Sequence, residues 1–186
     1  MRFITFANQD LKLLRAVLRE SADAQHRALA AEIICYAANK RAVVKDLVYG
    51  MSDPDSGVRN NSMRALAVIA IFAQRSPKQR ITVPVKPFID MLNSIVWTDR
   101  NKSSLTLYEL TKNRDPEVLA KLRERALPSL VEMSRWKSPG HSSRPFFLLG
   151  RVGNISEDQI QKIWDGGNRE TLIEMVLKKS HIKVKE

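Results

Sequence analysis

A single cysteine, Cys35, is all the thiol chemistry this sequence offers. One thiol closes no internal disulfide, so a reducing compartment, the cytoplasm, is the expected setting. His26, His141 and His181 lie too far apart in the chain to make a local metal cluster. No apolar run approaches the ~18 residues of a membrane span. The longest, Ala65 to Ala73, stops at Gln74-Arg75. The opening MRFITFANQD holds only a short apolar patch, less than the about 7–15 residues of a secretory h-region, so no signal peptide is expected. Neither a glycine-rich phosphate loop nor a paired-carboxylate motif is present, and GRVG at 150–153 lacks the strand that a dinucleotide fingerprint requires. It reads as close packing on a helix.

Acid is the scarcer charge. Lys and Arg number 31 against 20 Asp and Glu, giving a net charge of +11. The excess is spread as +3, +3, +4 and +1 over residues 1–50, 51–100, 101–150 and 151–186, rather than gathered in a tail. Such a balance attracts polyanions at long range and also serves solubility alone. Hydrophobic residues at 44% are enough for a core, and 186 residues suit one domain or a short array of repeats.

What the sequence does contain is a repeated helical pattern. In DPDSGVRNNSMRALAVIA (53–70), Val58, Ser62, Ala65, Leu66, Ile69 and Ala73 mark one face of a helix. Asp53 to Gly57 supply turn and cap chemistry ahead of it, so the helix is expected to begin near Ser56, and Ser76-Pro77 end it. Val68, Ala70, Ile71 and Phe72 lie off the main stripe, so this helix needs neighbours on several sides. Shifted back by 32 residues, the pattern recurs from Asp23 through Arg27 to Ala37; shifted forward by 83, it recurs in SPGHSSRPFFLLGRVG. DRNKSSLTLYELT (99–111) is a weaker copy whose register is open. Each copy follows another apolar stretch: Leu11 to Leu18, Val43 to Val48, Val85 to Trp97 and Leu127 to Trp136.

The unit is therefore helix, turn, helix, and no stretch alternates long enough for a strand. The expected fold is an all-α solenoid of about four helical pairs, at 9–39, 41–75, 84–113 and 116–153, in a single domain spanning 1–186. A last pair at 156–165 and 168–179 is appended. Asp115-Pro116-Glu117 and Ser156-x-x-Gln159 are further helix starts, Asp165 to Asn168 is a break, and KKSHIKVKE is expected to fray. Phe3, Ile4 and Phe6 either cap the stack or meet a further unit of a longer array.

The stretch 53–70 resembles the second half of a HEAT repeat, in which an Asp-rich turn leads into Val-Arg, a small residue and Ala-Leu. With the intervening helices, the resemblance covers about 9–153 and implies a right-handed α-α solenoid. It also implies bonds between neighbouring units from the turn Asp and the helix Arg, by position Asp23 with Arg27 and Asp55 with Arg59. Later units offer Lys102 or Ser103, and Ser142, in the arginine's place, so a continuous ladder is not expected. The role implied is that of a non-catalytic scaffold or adaptor binding a protein partner through its concave face, with no cofactor or metal.

Helical spacing assigns the concave ridge to Glu32, Tyr36, Asn60, Arg64, Arg144, Phe147 and Arg151. The residue types suit a protein interface. The alternative is a nucleic-acid (phosphate-backbone) binding protein, suggested by the basic excess and by clusters at Arg75-Lys78-Arg80-Lys86 and Arg135-Lys137-Arg144-Arg151. HEAT-like DNA glycosylases, which line a basic inner surface with tryptophan and aspartate, make Trp97, Asp99 and Trp136 a remoter alternative. The His-Glu pairs of an iron-binding HEAT-like enzyme family have no counterpart, because Arg27, Ser142 and Ile182 follow the three histidines.

Overall fold

The computed structural model describes residues 2–182. Within them, eleven α-helices and one short 3-10 turn follow one another, with no strand among the described residues. The helices are α1 (Arg2–Gln9), α2 (Leu11–Glu20), α3 (Ala24–Ile34), α4 (Lys40–Gly50), α5 (Ser56–Arg75), α6 (Lys86–Met91), α7 (Trp97–Leu110), α8 (Pro116–Ser134), α9 (Pro139–Val152), α10 (Glu157–Asp165) and α11 (Arg169–Ile182). Residues 183–186, the end of the stretch expected to fray, lie outside the described residues.

Short polar side chains open five of these helices, α3, α4, α5, α8 and α10, by accepting from N–H groups that have no partner within the helix. Asp23 Oδ1 accepts from Gln25 N at 2.7 Å, Asp55 Oδ1 from Gly57 N and Val58 N at 2.9 and 3.0 Å, and Asp115 Oδ1 from Glu117 N at 2.9 Å. Ser156 Oγ accepts from Gln159 N at 3.3 Å.

Helices pair in chain order, and the pairs stack side by side. α3, α5, α7, α9 and α11 form an inner layer, each packed on the next, while α2, α4, α6 and α8 lie behind them. A single apolar cluster runs from Ala7 to Val176, so the core belongs to the stack and not to any one pair. This is an α-solenoid. At its start α1 lies on α2 and α3, with the Phe3 ring 5.8 Å from Tyr36 and Asn8 Oδ1 accepting from Ala38 N at 2.8 Å. Ile4 and Phe6 stay largely exposed.

The third pair departs from the sequence reading. The outer helix expected over Val85 to Trp97 is only α6, and Trp97 begins the inner helix α7 instead of ending an outer one. Asn93 N and Ser94 N bond three residues back to Asp90 O and Met91 O, which tightens and closes α6. Ser94 Oγ then accepts from Val96 N at 3.1 Å, turning the chain into α7. Ahead of α6 the chain runs without helix over 80–85, and Ile81, Val83 and Val85 pack there against the core. As a result α4 and α6 are not packed together as α2 is on α4 and α6 on α8.

Gly150 lets α10 approach α9 closely. A Cβ at this position would meet Ile160 Cδ1 and Cγ1 at 2.5 Å. Gly150→Ala is expected to cost about 1–3 kcal/mol in urea denaturation, with Ile160→Val recovering part of the loss. Unchanged stability would contradict the contact.

Candidate functional site

The inner layer is held in register by arginines that reach across from one repeat to the next. Arg27 of α3 donates from Nε and Nη2 to both Asp53 oxygens, at 2.7 and 2.9 Å, and from Nη1 to Ser21 O at 2.8 Å. Arg59 of α5 repeats the arrangement, with Nε 3.0 and 3.1 Å from the Asp99 oxygens and Nη1 donating to Asp53 O at 2.8 Å. Each guanidinium thus ties its own turn to the acid of the following repeat.

This corrects the expected pairing: the bonded acids are Asp53 and Asp99, whereas Asp23 and Asp55 are occupied as helix caps. Ser103 stands four residues after Asp99, as Arg59 does after Asp55, and its hydroxyl lies 3.4 Å from Met63 Sδ. Ser142 bonds back to Ser138 O at 2.9 Å. The arginine ladder ends there. Asp99 is 1% exposed and also accepts from Ser94 Oγ at 2.9 Å, so this carboxylate is closed off from any substrate.

On the side of the inner layer away from the outer helices, α3, α5, α7 and α9 each leave a ridge. Glu32 and Tyr36 are exposed at the first; Arg64 and Val68 are exposed on α5, with Asn60 half-buried beside them. Arg144 and Phe147 are half-buried on α9. Arg151 does not belong to this ridge. It is 3% exposed, pairs with Glu157 at 2.8 Å, and donates to Tyr108 O at 2.6 Å and Thr111 Oγ1 at 2.9 Å. The acid that buries it comes from α10, which helical spacing within one repeat does not reveal.

Three further residues complete the ridge: Lys102 and Tyr108 of α7, and Val68. Tyr108 meets Phe147 edge to face, with ring centroids 5.9 Å apart. Lys102 is half-buried and precedes Ser103, whose hydroxyl meets Met63 Sδ on α5 one residue before Arg64. Its ammonium is held below the ordinary lysine range, first by burial and then by the nearby guanidiniums of Arg64 and Arg144. Arg64 and Arg144, from the inner helices on either side, thus both lie near enough to Lys102 for their charges to act on it. Arg144 Nη1 donates only to its own helix, at Gly140 O, and none of the three has an acidic partner among the described residues.

Between α3 and α5 a small cleft of about 90 Å³ is lined by Glu32, Cys35, Tyr36, Asn61, Arg64 and Val68. Burial is the main influence that pushes the Cys35 thiol up, so it stays protonated and packs as an apolar residue. A larger cavity of about 750 Å³ opens between α8, α9 and α11, but its cations serve the fold. Arg123, Lys179 and Arg114 donate to Val152 O, Gly153 O and Ile155 O, the carbonyls at the end of α9.

The basic clusters read from the sequence disperse in space. Arg135 forks onto Glu170 at 2.7 and 2.8 Å, Lys86 pairs with Asp90 at 2.7 Å, and Arg151 is buried. Trp97 and Trp136 lie 6.0 Å apart at the edge of the stack, with His141 edge-on to Trp97. Among the described residues no three His, Cys, Asp or Glu side chains are grouped to hold a metal ion, and no helix is long and apolar enough to cross a membrane.

Comparison with known proteins agrees with this architecture. Residues 11–82 match the family model for HEAT repeats. A computationally designed armadillo repeat protein for modular peptide recognition superimposes with a TM-score of 0.59 at 16% identity, covering 96% of this chain and 90% of that one. A designed armadillo repeat protein in complex with peptide (KR)4 gives 0.57 at 14% identity over 96% and 90%. An engineered protein gives 0.58 at 19% identity over 91% and 71%. Curated proteins return no match.

The Arg27 guanidinium, against the opposing effect of burial, holds the Asp53 carboxyl below the usual carboxylate range. A carboxyl depressed in this way contributes stability above its unfolded pKa of ~3.9, and that contribution is lost as pH falls through the lower folded value. Asp53→Asn is expected to cost about 2–3 kcal/mol in urea at neutral pH and to flatten the loss of stability below pH ~4. Parallel pH profiles for the two proteins would count against the pair.

Proposed function

We propose, from a chain whose residues 11–82 match the family model for HEAT repeats and whose helical pairs stack as a solenoid, that it is a non-catalytic scaffold. It binds a peptide segment of a protein partner along the concave face, in the cytoplasm. The observation that carries this reading is the composition of the ridge. Tyr36, Val68 and the Tyr108–Phe147 pair alternate there with Glu32, Asn60 and Arg64, a mixture of apolar anchors and orienting polar groups. Designed armadillo proteins lend support as solenoids of the same kind, one made for modular peptide recognition and one in complex with peptide (KR)4.

Phosphate-backbone binding is the second reading, favoured by Arg64, Lys102 and Arg144. It is the weaker of the two, because the cations do not line up into a trough along the inner layer. Glu32 stands exposed at the first ridge, and Arg135 and Arg151 are already paired.

Panning a displayed library of random peptides against the full chain tests the proposal. Enriched peptides should lose about tenfold or more in affinity, ~1.4 kcal/mol, for the Val68→Glu, Phe147→Ala double variant. They should bind Lys121→Glu, altered on exposed α8, as tightly as the wild type. Equal binding to all three proteins would remove the concave face from the function.

A further inference from the structure

Arginines that cross between helices in this chain end on an acid or on a helix-end carbonyl: Arg27 on Asp53, Arg59 on Asp99, Arg100 on Glu132, Arg125 on Asp90 and Arg135 on Glu170, with Arg123 and Arg169 on carbonyls. Such pairing removes the cost of leaving a charge without a counterion in a partly desolvated place. The centre of the concave face is an exception. Arg64, Lys102 and Arg144 arise from α5, α7 and α9, which pack one against the next, and no described acid answers them. Lys102 lies level with Arg64, since the adjoining Ser103 hydroxyl and Met63 Sδ meet at 3.4 Å, and its ammonium is disfavoured first by burial and then by the charges of Arg64 and Arg144.

Resting on the peptide-binding reading, we infer that the partner segment is acidic: a carboxylate side chain docks among Arg64, Lys102 and Arg144, followed by an apolar or aromatic side chain against Tyr108 and Phe147. The order follows from the helices. Phe147 lies one turn beyond Arg144 on α9, and the Tyr108 ring of α7 meets it edge to face with centroids 5.9 Å apart. A bound carboxylate supplies the missing counter-charge and offsets the repulsion that Lys102 meets from Arg64 and Arg144. Guanidiniums on either side of the ammonium offer it forked donors.

A uniformly charged polyanion suits this face less well. Its charges recur along its whole length, whereas the cations here are confined to one place and the inner layer carries exposed Glu32 at its first ridge. A peptide with acid at one position and greasy side chains beside it matches both features.

Fluorescence anisotropy with the full chain tests the inference. The probes are a short labelled peptide alternating Glu and Asp with Leu and Phe, its Gln and Asn analogue, and an oligo-dT of matched length. The acidic peptide is expected to bind about tenfold or more tightly than the amide analogue, and Arg64→Gln, Lys102→Gln, Arg144→Gln together should abolish that difference. The triple variant should melt no lower than the wild type, because like charges have been removed; if it does melt lower, Lys102→Gln alone should still narrow the difference. Equal binding of the acidic and amide peptides, both weakened by Phe147→Ala, overturns the acidic preference and leaves the peptide-binding reading standing. Oligo-dT displacing the acidic peptide near physiological salt overturns it in favour of nucleic acid. Failure of both peptides to bind overturns both.

Discussion

Because no helical pair in this chain encloses a core of its own, each can bury its apolar flank only against the next. Ile34, Leu66, Leu107 and Leu149, one from each successive inner helix, are all fully buried in the same continuous cluster. The requirement is non-directional, since apolar surface alone does not say how far one helix slides along its neighbour. Direction comes from the bidentate Arg27–Asp53 and Arg59–Asp99 pairs, whose fork geometry fixes the offset between repeats. Where that ladder stops, at Ser103, the seam between α7 and α9 depends on packing and on Arg151, which reaches from α9 to Tyr108 O.

The sequence made the second repeat plain because its inner helix is marked at both ends. Asp55 caps α5, Ser76-Pro77 closes it, and the apolar stripe between them recurs elsewhere at a fixed spacing. The third repeat was harder to read. Its outer helix is six residues long, too short to show periodicity, so the apolar residues of α6 and the start of α7 merged into one imagined helix. That merger misplaced Trp97 and left the register of 99–111 open. With the register open, Lys102 could not be assigned to the ridge.

Charge was the least legible property. Arg144 and Arg151 look alike in the sequence, both at helical spacing on α9. One reaches the open face, and the other is buried because α10 folds back with Glu157. Similarly, Asp53 and Asp55 both sit in the turn before α5. Only the placement of α3 decides that the former takes Arg27 while the latter caps its own helix. Helix caps are local and can be read from neighbouring residues; ion pairs across a seam depend on residues 26 to 40 positions away.

The sparse packing between α4 and α6 has a mechanical consequence. Inner helices α5 and α7 pack closely there, while the back of the stack at that level holds a stretch of irregular chain with Ile81, Val83 and Val85. At that level the two halves of the stack are therefore joined by the inner α5–α7 seam and its Arg59–Asp99 pair, with no helix–helix seam of comparable size behind it.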